Sequence, residues 1–230
     1  MIDLLQTPVF GIIISIVAYE IGLSIYRKTK LPIFNPLLIA IIIVIGFLLA
    51  FDIDLETYNL GGDFISVFLT PATVILAVPL YNKLEILKKS YKEILIGIAL
   101  GSTASVISVL LLAKLFNVNE SLLLSLIPKS ITTPVGVEVS KQLGGIPSIT
   151  VAAIIITGIL GAVLGPSLCR LFKIKDKLAI GIAMGTSSHA VGTTKAIEMG
   201  EIEGAMSGLA IGVAALITVL VAPIIVKILL

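Results

Sequence analysis

Long apolar runs separated by short polar loops dominate the pattern of hydrophobic and polar positions along this chain. Several runs reach the roughly 18 residues that mark a membrane-spanning helix. The pattern predicts about six spanning helices, at residues 8–26, 31–51, 62–81, 93–116, 146–172 and 204–229. An acidic loop is expected before residue 62. The polar/apolar alternation of a transmembrane β-barrel is absent from the sequence. We therefore predict an all-α polytopic membrane protein.

Two polar segments interrupt the apolar pattern and are predicted to be broken helices. The first broken segment, residues 120–145, contains Pro128-Lys-Ser-Ile-Thr-Thr-Pro-Val-Gly136. The second broken segment, residues 178–200, contains Gly185-Thr-Ser-Ser-His-Ala-Val-Gly-Thr-Thr-Lys195. Non-helical backbone is tolerated at membrane depth only where protein buries it or a wet cavity adjoins it, and paired helix breaks mark the binding sites of transporters. We expect the two tips to meet at mid-membrane.

Basic residues fall into three clusters, which set the expected topology. The clusters hold 11 of the 16 basic residues, at Arg27, Lys28 and Lys30, at Lys83, Lys88, Lys89 and Lys92, and at Arg170, Lys173, Lys175 and Lys177. The positive-inside rule puts all three on the cytoplasmic face of the cytoplasmic (inner) membrane. We therefore expect the N-terminus, the loop near Asn117 and the C-terminus to lie outside.

This topology decides how the broken segments are expected to run. An even number of crossings must separate the second and third basic clusters, so the first broken segment is predicted to be a re-entrant hairpin that enters from outside. The second starts from a cytoplasmic loop and is predicted to be a hairpin from inside. Arms of about 12 residues would each reach roughly 18 Å, past the midplane of a 30 Å core. Two broken helices that cross the membrane fully are the alternative.

Hydroxyls, helix breakers and ionisable groups in and near the broken segments are the predicted substrate ligands. They are Lys129, Ser130, Thr132, Thr133, Pro134 and Gly136 in the first segment, Thr186, Ser187, Ser188, His189, Gly192, Thr193 and Lys195 in the second, and Asn35, Pro71 and Thr73 in the preceding helices. Half-helix N-termini that start near Gly136 and Gly192 would present unpaired N–H groups, which suit a carboxylate. The alternatives are hydroxyls that bond to their own helix, and a Lys129 ammonium that snorkels to an interface.

Three ionisable groups are candidates for proton or ion coupling: Glu138, His189 and Glu198. A histidine ordinarily titrates near pH 6.5, so His189 at depth is expected to sense protons or to bind a carboxylate. A buried glutamate can carry a proton. The structural alternatives are the ion pairs Glu138–Lys141 and Lys195–Glu198.

Small residues form stripes on three helices, and we interpret these stripes as packing faces rather than ligand contacts. They are Gly97, Gly101, Ser102, Ser105 and Ser108, then Gly158, Gly161 and Gly165, then Gly204, Ser207, Gly208 and Gly212.

Composition limits the chemistry of the site. The chain is 57% hydrophobic and 13% charged, with a mean hydropathy of +1.16. The one cysteine, Cys169, excludes an internal disulfide, and the one histidine excludes a multi-histidine site within one chain. Nucleotide-binding and nucleophile-elbow motifs are missing. We expect no metal, no cofactor and no nucleic-acid partner, and we disfavour an enzyme because Ser188 and His189 form no triad.

A set of motifs along most of the chain matches one membrane-protein family. The motifs are Asn35-Pro36-Leu37-Leu38, Pro71-Ala-Thr-Val-Ile-Leu-Ala-Val-Pro-Leu-Tyr81, Pro128-Lys-Ser-Ile-Thr-Thr-Pro134, Gly144-Gly-Ile-Pro147, Thr157-Gly-Ile-Leu-Gly161, Gly185-Thr-Ser-Ser-His-Ala-Val-Gly-Thr-Thr-Lys-Ala-Ile-Glu198 and Glu203-Gly-Ala-Met-Ser-Gly208. In these motifs the chain resembles the LrgB/CidB family of antiholin-like membrane proteins, and it is similar to the plastid glycolate/glycerate transporter. The resemblance implies carriage of small carboxylates such as glycolate, glycerate and pyruvate, and a small holin-like membrane partner.

The primary hypothesis is a secondary transporter or exporter of small organic anions, with alternating access around the two tips. The alternative is an antiholin-like protein that modulates a holin-like partner and murein hydrolase activity. Buried ionisable residues favour the first, because each charge held in hydrocarbon costs at least about 2.5–3.5 kcal/mol. We interpret the chain as one membrane domain over residues 1–230, with scaffold helices at 1–116 and a core at 117–230, and we expect a homo-oligomer in the lipid bilayer.

Overall fold

The computed structural model describes residues 7–30, 34–68, 71, 81 and 84–230. These residues form α-helices and connecting turns, without a β-strand among them. The chain divides into two compact units, Met1–Ile75 and Leu76–Leu230. The helix Tyr91–Leu115, which the sequence interpretation groups with the scaffold, belongs to the second unit together with both broken segments.

The first unit contains α1 (Pro8–Thr29), α2 (Pro36–Ala50) and α3 (Leu55–Ser66). The side chain of Asn35 caps α2 by accepting hydrogen bonds from the backbone N–H groups of Leu37 at 2.9 Å and Leu38 at 3.3 Å. Gly11 and Gly61 let α1 and α3 approach closely, since a Cβ added to Gly11 would lie 3.0 Å from the Gly61 Cα.

Helix α3 begins at Leu55, earlier than the predicted start at residue 62, so much of the expected acidic loop is helical. Asp54 precedes the helix and Glu56 lies in its first turn, where acidic side chains favour the helix N-terminus. The rest of the predicted helix at 62–81, including Thr73, lies largely outside the described residues, as do residues 31–33 of the predicted second helix.

The second unit contains α4 (Leu84–Lys89), α5 (Tyr91–Leu115), α6 (Glu120–Leu126), α7 (Thr133–Leu143), α8 (Pro147–Leu171), α9 (Lys177–Met199) and α10 (Glu201–Leu229). Among the described residues, 4 helices are long and apolar enough to cross a membrane: α1, α5, α8 and α10. Helix α2 is apolar but has only 15 residues. The predicted class, an all-α polytopic membrane protein, is confirmed.

The first broken segment folds back on itself as a helical hairpin made of α6 and α7, here called the first hairpin. A Cβ added to Gly145, at its end, would lie 2.8 Å from the backbone nitrogen of Ser125 in the other arm. The N–H of Ile146 also donates to the Ser125 hydroxyl at 2.7 Å. The chain therefore folds back alongside its entering arm, as the re-entrant interpretation requires. The arms, of 7 and 11 residues, are about 10 and 16 Å long and so shorter than predicted.

The second broken segment is also a hairpin, because α9 consists of two helical stretches separated by a break. The break lies at His189, with φ 42° and ψ −137°. A Cβ added to Gly192 would lie 2.7 Å from the carbonyl oxygen of Met184, a residue about 12 Å away along an unbroken helix. Residues 177–188 and 190–199 are therefore two arms packed against each other, here called the second hairpin.

The two hairpins repeat one construction. In the first, a Cβ added to Gly136 would lie 3.4 Å from the carbonyl oxygen of Pro128, the same sequence separation that joins Gly192 to Met184. In both cases a glycine in the returning arm leaves room for a backbone carbonyl of the entering arm. The first hairpin follows α5 and the second follows α8, so helix plus hairpin occurs twice.

The two copies have opposite orientations. Gly97 and Gly101 of α5 face Ile182 and Thr186, which shows that α5 runs parallel to the first arm of the second hairpin. Gly165 and Gly158 of α8 face Met184 and His189, so α8 runs antiparallel to that arm. Inverted repeats of this kind are a recurrent architecture of secondary transporters.

Helix α10 runs parallel to α5, and this fixes which ends of the second unit share a face. Lys114, at the end of α5, donates to the carbonyl oxygen of Leu229 at the end of α10. The ends that carry Lys92 and Lys177 therefore lie together, opposite the Asn117 loop and the C-terminus. This is the arrangement that the basic clusters predict for this unit.

Candidate functional site

A cavity of about 1000 Å³ lies between α5, α8 and the two hairpins. The first hairpin contributes Lys129 and Ser130 to its wall, and the second contributes Thr186, Ser187 and Ser188. These five residues are predicted substrate ligands, and the fold brings them to one space although they are far apart in sequence. Helix α5 lies on one side and the glycine-rich face of α8 on another.

Lys129 is the only basic residue among the described residues that line the cavity. Its Nζ donates to the Ser130 hydroxyl at 3.2 Å, and Ser130 is hydrogen-bonded to Ser105 of α5 at 3.0 Å. Ser105 lies near the middle of α5, so the tip of the first hairpin is held within the length of a spanning helix rather than at its end. As a whole residue, Lys129 is half-buried.

Acidic residues line the opposite end of the cavity. Glu93 and Asp176 lie next to Lys92 and Lys177, at the end of the unit that carries the basic clusters. Asp176 also caps α9 by accepting a hydrogen bond from the N–H of Ala179 at 2.8 Å. The cavity wall therefore runs from an end with acidic side chains to an inner end with a single positive charge.

The hydroxyls of the second hairpin differ in their partners. Ser187 donates to the carbonyl oxygen of Ala183 at 2.7 Å and is hydrogen-bonded to Ser188 at 2.9 Å. Thr194 donates to the carbonyl oxygen of Ala190 at 3.2 Å, so bonding within the arm is realised there. The buried Thr186 hydroxyl has no partner within the described residues. It is thus the hydroxyl of this tip that is most available to a ligand in the cavity.

His189 lies outside the cavity wall and fixes the tip of the second hairpin. Its Nε2 donates to the carbonyl oxygen of Ile154 in α8 at 2.9 Å, and its ring fills the space that Gly158 leaves open. The Ile154 side chain lies against Gly136 of the first hairpin, where a Cβ would approach its Cδ1 to 2.5 Å. Both hairpins therefore contact Ile154, while direct contact between the two tips stays a prediction.

Other predicted ligands have structural surroundings. The N–H of Gly136 donates to the carbonyl oxygen of Thr132 at 2.8 Å, so the unpaired N–H groups of α7 lie before Gly136 and not at it. Thr193 is buried and hydrogen-bonded to Ser207 at 2.7 Å. Thr132, Thr133 and Pro134 lie at the turn of the first hairpin, Gly192 lies in the returning arm of the second, and none of them lines the cavity. Asn35 caps α2 in the other unit, Pro71 is exposed, and Thr73 is outside the described residues.

The two acidic candidates for ion coupling, Glu138 and Glu198, form the ion pairs that the sequence offers as the structural alternative. Lys141 contacts Glu138 at 2.8 Å, and Lys195 contacts Glu198 at 2.7 Å. Both glutamates are exposed on the returning arms of their hairpins. Neither lines the cavity.

Sequence reasoning missed part of the cavity wall. Gly97, Gly101, Ser105 and Ser108 of α5 line it, together with Thr157, Gly161 and Gly165 of α8. Their spacing was visible as small-residue stripes, which we interpreted as packing faces. The α8 stripe does pack, since Gly161 lies against Ser188 and Gly165 against Met184. The α5 stripe serves both purposes, because Gly101 contacts Thr186 while the same face borders the cavity.

Comparison with known proteins identifies relatives over nearly the whole chain. The sequence profile of the LrgB-like family matches residues 15–228. A protein of Bacillus cereus (strain B4264), named antiholin-like protein LrgB, is 40% identical over 219 residues, which cover 95% of this chain and 95% of the relative. A protein of the same name from Bacillus anthracis (strain CDC 684 / NRRL 3495) matches with the same identity and coverage. No solved structure matches the chain significantly.

Proposed function

The chain belongs to the LrgB-like family, and from this premise we propose that it is a secondary transporter of small organic anions in the cytoplasmic membrane. The substrates proposed are monocarboxylates of the size of glycolate, glycerate and pyruvate. The chain is a multi-pass membrane protein.

One observation carries this proposal: the Lys129 ammonium lies at the inner end of a cavity bordered by both hairpins. A carboxylate in a site of low dielectric must be paired with a positive charge, or it takes up a proton. Lys129 supplies that charge, and the Ser130 and Thr186 hydroxyls can donate further hydrogen bonds. Helix ends at the two tips add backbone groups without intrahelical partners.

The inverted hairpins suggest how access to the site alternates. The cavity extends from the tips toward the face that carries Lys92 and Lys177, which the positive-inside rule makes cytoplasmic. In our proposal this is the inward-facing state, in which the contacts of Ser130 with Ser105 and of His189 with Ile154 bar the way outward. Movement of the hairpins against α5 and α8 would open the other side.

Uptake of a labelled carboxylate panel into proteoliposomes tests this function. Purified protein should accumulate one or more of glycolate, glycerate, lactate and pyruvate above protein-free liposomes, and unlabelled competitor should abolish the signal. Absence of uptake and of counterflow for every member of the panel would contradict the transporter proposal.

The names of the relatives favour a second function, that of an antiholin-like protein, and they favour it more directly than they favour a carboxylate transporter. In this role the protein would bind a small holin-like membrane partner and modulate murein hydrolase activity. Co-purification with a holin-like protein from the same organism tests it, together with the hydrolase activity of cells that lack the protein. Partner binding without carboxylate transport would make this role the function.

A further inference from the structure

Glu203 is a buried carboxylate that the proposed transport site does not use. Glu203 lies in the first turn of α10 and is 5% exposed. Its Oε2 has no hydrogen-bond partner, and no lysine or arginine is paired with it among the described residues. An unpaired carboxylate in a protein interior is costly, so a buried acceptor of this kind calls for a ligand.

The simplest structural explanation, a helix cap, does not account for Glu203. A glutamate at this position can reach back to the N–H of the residue that caps the helix. That residue is Gly200, and the Glu203 side chain does fold over it, since a Cβ added to Gly200 would lie 2.9 Å from the carboxyl carbon. The N–H of Gly200, however, donates to the carbonyl oxygen of Ala196 at 3.1 Å. The capping bond is therefore not made.

Glu203 lies where the N-terminus of α10, which favours a carboxylate, meets the end of the second hairpin, which favours a cation. The returning arm of the second hairpin ends at Met199, and the last carbonyl groups of a helix lack intrahelical partners and carry partial negative charge. The charged groups on this arm, Lys195 and Glu198, bind each other at 2.7 Å. Carboxylate and carbonyl oxygens are the ligands that hard cations prefer.

We propose that the Glu203 carboxylate and the adjoining end of the second hairpin form a binding site for Na⁺. A single buried carboxylate balances one positive charge. Within the described residues no set of three acidic, histidine or cysteine side chains converges, so the site is matched to a monovalent cation rather than to a divalent or transition metal.

This site is linked to the tip of the second hairpin by buried polar contacts. Ser207 lies one turn after Glu203 on α10 and is hydrogen-bonded to Thr193 at 2.7 Å. The Thr193 hydroxyl also lies 3.0 Å from the carbonyl oxygen of His189, at the helix break. A cation bound between the hairpin and α10 would hold the hairpin in its present position. Resting on the proposed function, this makes Na⁺ the coupling ion of anion transport.

Thermal unfolding tests the site without any transport measurement. Cys169 is the only cysteine of the chain, and it is buried, so its reaction with a fluorogenic maleimide reports unfolding. The unfolding midpoint temperature should rise as NaCl replaces choline chloride at constant ionic strength and pH. The rise should level off at high Na⁺ concentration. Glu203→Gln should abolish the rise. Glu201→Gln, at an exposed position in the same helical turn, should keep it.

Several results would overturn the Na⁺ site. They are a wild-type midpoint that does not respond to Na⁺, a response equal in K⁺ and choline, a response that survives in Glu203→Gln, or a response to pH alone, which would indicate a proton site. If Glu203→Gln does not fold, Glu203→Asp keeps the charge but shortens its reach. The Glu203→Asp variant should then need about tenfold more Na⁺ than wild type to reach half of the maximal rise in unfolding midpoint. An unchanged Na⁺ requirement overturns the proposal.

The two proposals fail separately. A Na⁺ response that depends on Glu203 in a protein that carries no carboxylate removes the transport function and leaves the cation site. Carboxylate uptake that is equally fast in NaCl and in choline chloride, with no thermal response to Na⁺, removes the cation site and leaves transport.

Discussion

The Nε2 of His189 lies 2.9 Å from the carbonyl oxygen of Ile154, so the break in the second hairpin is tied to the backbone of a spanning helix. The bond explains how a non-glycine residue is held at φ 42°, a backbone conformation that residues other than glycine rarely adopt. It also places the second hairpin against a residue whose side chain contacts the first. Ile154 is thus the structural link between the two halves of the candidate site.

Replacing His189 should separate the stability contributed by this hydrogen bond from the strain of a positive φ angle at a non-glycine residue. His189→Ala loses the hydrogen bond and the ring packing while keeping a Cβ at positive φ, so unfolding should become easier by about 1–3 kcal/mol. His189→Gly loses the same contacts but relieves the backbone, and should be more stable than the alanine variant by about 1 kcal/mol. Cys169 labelling on heating measures both. Equal midpoints for wild type and His189→Ala would show that the bond contributes nothing.

Gly158 provides the space into which the His189 ring fits. A Cβ at this position would lie 2.6 Å from the His189 Cε1 and 3.0 Å from the Val191 Cβ. Gly158→Ala should therefore displace the hairpin tip and destabilise the protein by about 1–3 kcal/mol. Gly212→Ala is the matched control, because nothing lies within 4 Å of its Cβ position, and it should be neutral or stabilising. Equal behaviour of the two variants would contradict the packing described.

Thr150 holds the base of the first hairpin to α8. Its hydroxyl lies 2.9 Å from the carbonyl oxygen of Ser125 and 2.7 Å from the Ser140 hydroxyl, so it bridges both arms. Thr150→Val leaves these buried groups short of a partner, and unfolding should become easier by about 1–3 kcal/mol. The exposed Thr194 bonds only to its own arm, and Thr194→Val should change stability little. A neutral Thr150→Val would mean that the hairpin is held by packing alone.

The orientation of the second unit can be tested by cysteine labelling in a Cys169→Ala background. Lys175→Cys should react with an impermeant maleimide only from the cytoplasmic side, and Asn117→Cys only from outside. The parallel course of α5 and of the entering arm of the second hairpin requires these residues on opposite faces. Labelling of both from the same side would show that the hairpins do not re-enter.

The hairpins could be predicted from sequence because they are marked by short local motifs and by a simple count of basic residues. Helix breakers with hydroxyls mark the tips, and the count of basic residues fixes an even number of crossings. The glycines at 136 and 192 belong to visible Val-Gly pairs, although the carbonyl contact that each permits appears only in the structure.

The cavity wall and Glu203 could not be predicted because they depend on which helix face meets which neighbour. A stripe such as Gly97–Gly101–Ser105 indicates a close approach equally well beside a helix and beside a cavity. Glu203 looks like an ordinary residue of a first helical turn, and only the hairpin packed over it makes it buried. Conversely, Lys195 and Glu138 looked functional in sequence, while the structure pairs each with a residue three positions away.

The most direct test of the account is carboxylate binding by Lys129→Met. Isothermal titration or radioligand binding with glycolate, glycerate, lactate and pyruvate would be compared between wild type, Lys129→Met and Lys141→Met. Lys141 is an exposed lysine at the base of the same hairpin, so its replacement controls for general loss of positive charge. Losing the charge-assisted bond should weaken binding by about 1.5–3 kcal/mol, or roughly one to two decades in Kd, in Lys129→Met alone. Wild-type affinity in Lys129→Met would contradict the proposed anion site.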